Sequence, residues 1–369
     1  MQRCVNVIGV GMSPFKPAQL CPDLFALIGN TARQTLVDAG LSSRQLTSIY
    51  AASDMPQSAT LQRALARVAI ERVPLRYFAP GGEEVSLLLP SAHQAIVQGQ
   101  AEAILVLGVQ CAPALMATSA VALQRLGATA RAYMARYQTR RETLAMVAVK
   151  AREHARFNPD AAFNQTLSLD QVLEAPMLAE PLTQSQFAWP GVGVAAVLLC
   201  SGEFAARHCP GPQVRTLAQT CISPRQLVAT GLASSFADVG YDINAAAAQE
   251  LYEQAGRGPQ EVEVCELHDS STLHELLLYE ALGFCLEGSA ETMVEEGDNT
   301  YGGNLVVNPS GGLLSLSQAG AASSLAQCIE LVQQLRGSAG RRQVVNARIA
   351  LQHQTGTDGT VITTLYQRD

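Results

Sequence analysis

The run VVNPSGGLLSLSQAGAASSLAQCIELVQQLRG, residues 306–337, joins two elements of opposite character. NPSGG, at 308–312, is a glycine-rich turn of the kind that lets backbone approach a ligand or a neighbouring segment closely. SLAQCIELVQQLRG, at 324–337, reads as a long helix ended by Gly337. Just before that helix, SQAGAAS at 317–323 holds only Gln318 and small residues, where a reactive side chain would be expected beside such a turn. The run is a cradle without evident chemistry.

Strand and helix signals alternate on both sides of it. VNVIGVG (5–11), AILVLGVQ (103–110) and VAAVLLCS (194–201) read as strands, the last two fully buried. PDLFALIGNTARQTLVDAG (22–40) is an amphipathic helix stopped by Gly40, and SLLLPSAHQAIVQGQ (86–100) a largely apolar one. In the second half a helix (242–256), a strand VEVCELHD (262–269) and a helix STLHELLLYEALGF (271–284) lead to a final hairpin, NARIALQH with TVITTLY. Strand-helix-strand units of this kind predict an α/β fold. AGLSSRQLTSIYA (39–51) and AGRGPQEVEVCEL (255–267) share a layout, which points to internal duplication. We place the halves at 1–212 and 213–369. An Arg-rich helical excursion at about 112–180 belongs to the first half.

The chain has 369 residues, is 48% hydrophobic and carries a formal charge of −7. That is enough for a large core. The acidic balance argues against a general nucleic-acid or anionic-membrane binder. Lysine occurs only at 16 and 150, so the positive charge is nearly all arginine. Nine cysteines are scattered without a CxxC pair or a Cys/His metal spacing. No metal site is expected, and the cysteines read as reduced and buried. MQRCVNVIGVGMSPF lacks the apolar stretch of a signal peptide, and no run approaches the ~18 apolar residues of a membrane span. A cytoplasmic protein is expected.

Several long strings, in order, carry a family resemblance. YMARYQTRRETLAMVAVKAREHARFNP, ELHDSSTLHELLLYEALGF, EEGDNTYGGNLVVNPSGGLLS and LAQCIELVQQLRG resemble the thiolase superfamily, most nearly its sterol-carrier-type or lipid-transfer branch. The resemblance covers essentially the whole chain. It implies a thiolase-like five-layered αβαβα fold of two duplicated halves, with a loop domain inserted in the first. It also implies a homodimer that takes a coenzyme A thioester as substrate, with no covalently bound cofactor.

The family's chemistry does not carry over residue by residue. The nucleophilic cysteine position falls on Gly82, followed by Glu83 and Glu84, and glycine has no nucleophile. The family's Gly-His-Pro turn aligns with Ser317-Gln318-Ala319. Gln318 can donate to an oxyanion but cannot shuttle protons near neutral pH. A His-Asp-Cys-Phe motif becomes His268-Asp269-Ser270-Ser271, and a serine without a nearby base does not replace a thiol. Trp189-Pro190 and Val192-Gly193 stand where the family has small polar residues and Asp-Gly.

What survives defines the candidates. Asn308, Ser310, Gly311 and Gly312 match the thioester-binding loop, with Gln318 beside it. His268, Asp269, Tyr301 and His353 are the acid/base candidates. Gly311 and Gly312 offer backbone N–H groups for an enolate oxygen. Arg136, Arg140 and Arg141 are candidates for the phosphates of coenzyme A, against the plain alternative of a solvated helix face. Tyr301 and His353 each have a plain structural alternative, a half-buried tyrosine and a histidine at a strand end. The resemblance to lipid-transfer-type members that lack the cysteine implies an aldol-type lyase on a β-hydroxyacyl-CoA of steroid or lipid side-chain type, working with a small OB-fold partner and needing no acyl-enzyme. The alternative is a non-catalytic homologue serving as a binding or scaffolding subunit. Acyl-CoA acyltransferase chemistry is disfavoured by Gly82 and Gln318.

Overall fold

The computed structural model describes residues 3–17, 23–55, 58–78, 85–111, 119–228, 236 and 239–369. From the N-terminus, β1 (Val5–Met12) and β2 (Lys16–Pro17) lead to α1 (Leu24–Asp38), β3 (Ser48–Ser53), α2 (Ala59–Ala66), β4 (Leu75–Phe78), α3 (Leu88–Val97) and β5 (Ala103–Gln110). The excursion supplies α4 (Ala120–Tyr137), α5 (Arg141–Ala155), α6 (Leu169–Leu173) and a small pair, β6 (Met177–Ala179) and β7 (Leu182–Thr183). Then come β8 (Gly191–Ser201) and α7 (Gly202–His208). The second half runs β9 (Val214–Ile222), α8 (Pro224–Val228), α9 (Tyr241–Ala255), β10 (Val264–Glu266), α10 (Thr272–Ala281), α11 (Ala290–Glu295) and β11 (Val306–Val307). It closes with α12 (Gly312–Leu316), α13 (Gly320–Arg336), β12 (Ile349–Thr355) and β13 (Val361–Arg368).

The strand order carries the duplication that the sequence only hinted at. The first half is ordered β4-β3-β5-β8-β1 and the second β11-β10-β12-β13-β9. Ranked within its own half, each reads third, second, fourth, fifth, first. The senses match too. β3 is parallel to β4 and β5, while β5–β8 and β8–β1 are antiparallel. Likewise β10 is parallel to β11 and β12, while β12–β13 and β13–β9 are antiparallel. The halves join through Asn6↔Arg215 and Val7↔Val214.

Side-chain burial sorts the helices into layers. One outer layer packs Ile28, Ala32 and Leu36 of α1 with Leu61 and Leu65 of α2 against Leu105, Leu107 and Leu198. The middle layer holds α3 and α13, whose Leu325, Ile329 and Val332 meet Val106 and Val197 of one half and Val264 and Ala350 of the other. The far layer holds α9 and α10, with Leu144 and Val147 of α5 packed onto them. The excursion therefore covers the outer face of the second half. No helix among the described residues is long and apolar enough to cross a membrane.

The structure moves one boundary in an informative way. The small residues before Ser324 read as loop, yet α13 begins at Gly320. They are small because this first turn meets β5 backbone to backbone. A Cβ on Gly108 would lie 2.7 Å from the carbonyl of Ala321 and the nitrogen of Ala322. Real Cβ contacts do not come that close, so the strand and helix would have to separate. Gly108→Ala is expected to cost about 1–3 kcal/mol, the usual range for overpacking, read from the denaturant midpoint at unchanged slope. An unchanged midpoint would mean that α13 does not seat on β5 this closely.

Candidate active site

The C-terminal end of β10 delivers His268, Asp269 and Ser270 into the start of α10. Two tight backbone bonds, Asp269 N–H to Leu267 O (3.0 Å) and Ser270 N–H to His268 O (3.0 Å), fold the chain sharply there. Ser271 then caps α10, its hydroxyl oxygen accepting the His274 N–H at 3.4 Å.

Three histidines gather around this turn. The His268 N–H donates to His353 Nδ1 at 3.3 Å, and His353 Nε2 donates to Asn244 Oδ1 at 2.8 Å. Both nitrogens of the buried His353 ring are engaged, which fixes it as a neutral ring protonated at Nε2. Burial lowers its pKa to about 3, with His268 and His274 nearby adding to the effect. Burial likewise lowers His268 and His274 to about 4 each. Taken as whole residues, both are half-buried. The His268 ring makes no hydrogen bond among the described residues. Among those residues, no group of His, Cys, Asp and Glu is arranged to hold a metal ion.

Asp269 is placed differently. Its carboxylate is fully buried and accepts the N–H groups of Leu313 (2.7 Å) and Leu314 (3.2 Å), at the start of α12. It positions a helix rather than a substrate proton. Burial, then the nearby Glu275, push its pKa well up.

NPSGG is held from all sides. Asn308 takes positive φ (53°). Its carboxamide accepts from Leu267 N–H at 2.7 Å and donates to Glu275 Oε2 at 3.0 Å. Ser310 donates its N–H (3.0 Å) and its hydroxyl (2.8 Å) to the buried Glu266. Burial raises Glu266 to about 8. A Cβ on Gly311 would lie 2.5 Å from the Ala155 side chain, and one on Gly312 would lie 2.2 Å from Asp269 Oδ2. The Gly311 N–H donates to Asn308 O at 2.9 Å and the Gly312 N–H to Ser310 Oγ at 3.1 Å. This corrects the expectation that these two N–H groups hold an enolate oxygen, since both are already bonded inside the loop.

Tyr301 stands on another side of the loop. Its hydroxyl donates to the Arg342 carbonyl at 2.7 Å, and its ring meets His154 edge-on at 4.9 Å. It has no hydrogen bond or ring contact with His268 or His353, so of these three candidates only His268 and His353 are joined. The His154 ring lies 3.0 Å from the Asn308 carbonyl through Nδ1, bracing the same loop from α5.

Gln318 sits at the rim. Its N–H donates to Trp189 O (2.8 Å) and its carbonyl accepts from Gly191 N–H (3.1 Å). Segment 187–191 thus crosses between two partners, with Phe187 bridging Ser271 and Pro190 bridging Gln318. The Gln318 carboxamide is partly exposed and makes no hydrogen bond among the described residues. Trp189 sends its indole N–H to Gln184 O at 3.2 Å. Ser317 is the strained point. It holds φ 93°, ψ 163°, a region reserved almost wholly to glycine. Its buried hydroxyl has no partner among the described residues.

The Gly82 position and Glu83 lie outside the described residues. Arg136 pairs with Glu287 (3.0 Å) and Arg140 with Glu291 (3.4 Å) and Glu295. Arg141 donates to Leu173 O at 3.1 Å. The exposed Arg136 and Arg140 pairs tie the excursion to the second half, and solvent screens them.

Sequence reasoning missed His274 and Lys150. Ser270 is not without a base: its hydroxyl lies 3.1 Å from His274 Nδ1. The signal was a pair of serines, Ser270 and Ser271, directly ahead of a helix that carries a histidine in its first turn. Lys150, one of only two lysines, reaches Glu275 and Tyr279 beneath the loop.

Comparison with known proteins follows this geometry. A family model described as "Thiolase C-terminal domain-like" matches residues 226–366. Sterol carrier protein 2 of Gallus gallus is 34% identical over 400 residues, covering 99% of this chain and 72% of that protein. The benzoylsuccinyl-CoA thiolase subunit BbsB of Thauera aromatica is 36% identical over 234 residues, covering 62% of this chain and 58% of that protein. Among solved structures, an Ltp2-ChsH2(DUF35) aldolase superposes with a TM-score of 0.83 at 23% identity, covering 99% of this chain and 98% of that one. Human mitochondrial 3-ketoacyl-CoA thiolase follows at 0.73 and 15%, covering 100% and 99%.

Two expectations arise from the site. Ser317→Gly removes backbone strain worth about 1–3 kcal/mol and an unpaired buried hydroxyl. It adds back roughly 0.5–1 kcal/mol of unfolded-chain entropy. A net gain of about 1 kcal/mol in urea unfolding is expected, and a loss would show that the hydroxyl has a partner. The second concerns pH. His353 has a folded pKa of about 3, below that of the unfolded chain. Its contribution is fully present above about pH 6.5, the unfolded value, and is lost as pH falls toward 3. His353→Gln should therefore flatten the decline of stability between pH 6.5 and 4.5, by up to about 1.4 kcal/mol per pH unit. An unchanged slope would mean that the ring is protonated in the folded protein.

Proposed function

The chain belongs to the thiolase superfamily, in its sterol carrier protein 2 branch, and from that premise we propose that it binds acyl-CoA thioesters and cleaves a β-hydroxyacyl-CoA by retro-aldol chemistry. The observation that carries this reading is His268. It is a neutral imidazole with an unoccupied ring, at the partly exposed end of β10, beside two further neutral histidines. In this reading His268 takes the β-hydroxyl proton. The Cα–Cβ bond breaks and its electron pair enters the thioester enolate. The carbonyl fragment leaves and a proton returns to the α-carbon. Gln318, with its unengaged carboxamide, donates to the enolate oxygen. No acyl-enzyme is required, which suits a chain with glycine at position 82. The substrate is of steroid or lipid side-chain type, and a homodimer works with a small OB-fold partner. The aldolase named among the fold neighbours supports this line.

A binding or scaffolding subunit is the second reading. It is favoured by a specific observation: the functional groups of Asp269, Tyr301, His353, Gly311 and Gly312 are all engaged inside the protein. Incubation with a β-hydroxyacyl-CoA, alone and with an OB-fold partner, separates the two. The lyase releases an aldehyde or ketone in step with a shortened acyl-CoA, and His268→Ala slows it by about 100-fold or more, the scale of general-base catalysis. Calorimetric binding of the thioester with no carbonyl release under either condition would leave only the subunit reading.

A further inference from the structure

We propose that Ser270 and His274 form a nucleophile–base pair that hydrolyses acyl-CoA thioesters, an activity separate from carbon–carbon cleavage.

The pair is built by the start of α10. Ser270 precedes the cap and His274 lies in the first turn, so the two side chains meet. His274 Nδ1 lies 3.1 Å from Ser270 Oγ and 2.8 Å from Ser271 Oγ. With the ring proton on Nε2, as the proposal requires, one lone pair faces two hydroxyls, and burial separates their roles. Ser271 is fully buried and its oxygen also accepts the His274 N–H, so it holds the ring in place. Ser270 keeps exposed surface, as an attacking group must. His274 is neutral near pH 7, the state that accepts a proton.

The surroundings supply the rest. The Ser270 carbonyl accepts the Ala188 N–H at 3.0 Å, and the next residue's carbonyl, Trp189 O, accepts the Gln318 N–H at 2.8 Å. Ser270 and Gln318 therefore flank the same crossing segment. Two strand spacings put their backbones about 10 Å apart. In this proposal the thioester carbonyl lies over the crossing segment, its carbon at Ser270 Oγ and its oxygen accepting from the Gln318 carboxamide. A helix cap alone explains Ser271. It does not explain a second hydroxyl, from a half-buried residue, on the same imidazole.

The chemistry balances with water as the only co-reactant. Ser270 Oγ bonds to the thioester carbon while its proton passes to His274 Nδ1. The C–S bond breaks, and the coenzyme A thiolate takes that proton from the imidazolium. Water then attacks the serine ester with His274 accepting its proton. The C–Oγ bond breaks, Oγ regains a proton, and a carboxylic acid leaves.

The test uses the full chain and a saturated acyl-CoA without a β-hydroxyl, on which retro-aldol cleavage cannot run. Free coenzyme A thiol is followed with a thiol reagent, and acid-quenched protein is mapped by mass spectrometry. Thiol release and an acyl adduct on the peptide bearing Ser270 are expected. Ser270→Ala should remove the adduct and slow thiol release about 100-fold or more, and His274→Gln should slow it similarly. Ser270→Cys, with a better nucleophile, should restore the adduct. An adduct elsewhere, thiol release unaffected in Ser270→Ala, or no release by wild-type protein shown folded by its thermal transition would each overturn the proposal. The lyase reading is judged on carbonyl release from a different substrate, so the two can fail independently.

Discussion

The buried ion pair between Lys150 and Glu275 holds the site in place. Both side chains are nearly inaccessible. Taking two charges out of water costs several kcal/mol per ion, and attraction offsets this only when the remaining polar atoms are satisfied. They are satisfied here. Glu275 also accepts from Tyr279 and from Asn308 Nδ2, while Lys150 reaches Tyr279 and the Val307 carbonyl. One network therefore joins α5 of the excursion, α10 of the second half and the strand that enters NPSGG. Removing either charge would strand the other, so the excursion and the loop are coupled by electrostatics as well as by packing.

That coupling reassigns the cradle. Its asparagine, serine and both glycines look like ligand contacts in sequence. In the fold, each glycine is required by a neighbouring protein group, Ala155 at Gly311 and Asp269 at Gly312. The N–H donors of residues 310–314 are spent on Glu266, Asn308, Ser310 and Asp269. The loop is a joint that sets where Gln318 and the end of β10 stand. At its margin, Gln318, His268 and Ser270 are half-buried and keep surface.

The sequence made the architecture legible because alternation of apolar strands and helices is imposed by burial on both sheet faces, and the two halves repeat that alternation. The start of α13 was not legible, because GAASS looks like a loop until Gly108 is known to face it. Among site residues, His268 with His353 could be read from a strand end and a C-terminal hairpin, which the parallel pairing of β10 and β12 places side by side. Tyr301 could not be excluded in sequence. Nothing local shows that its hydroxyl turns to Arg342, forty-one residues away. His274 was passed over because a histidine inside ELHDSSTLHELLLYEAL reads as one more helix residue. Its meaning depends on which helix face the preceding serines take.

The charge state of the three histidines decides what the margin can do. Asp269, the adjacent carboxylate, gives both oxygens to the start of α12 and leaves the imidazoles without an anionic partner. Burial then acts unopposed and keeps them neutral. A neutral imidazole near pH 7 is a lone-pair donor and a poor source of protons. Cysteine-dependent thiolysis starts from a thiolate, which needs a residue that position 82 lacks. Carbon–carbon cleavage and serine attack both start by taking a proton from a hydroxyl, on the substrate in one case and on Ser270 in the other. A site of neutral histidines with one unengaged carboxamide suits that shared first step, while thiolysis is ruled against by the missing side chain at position 82.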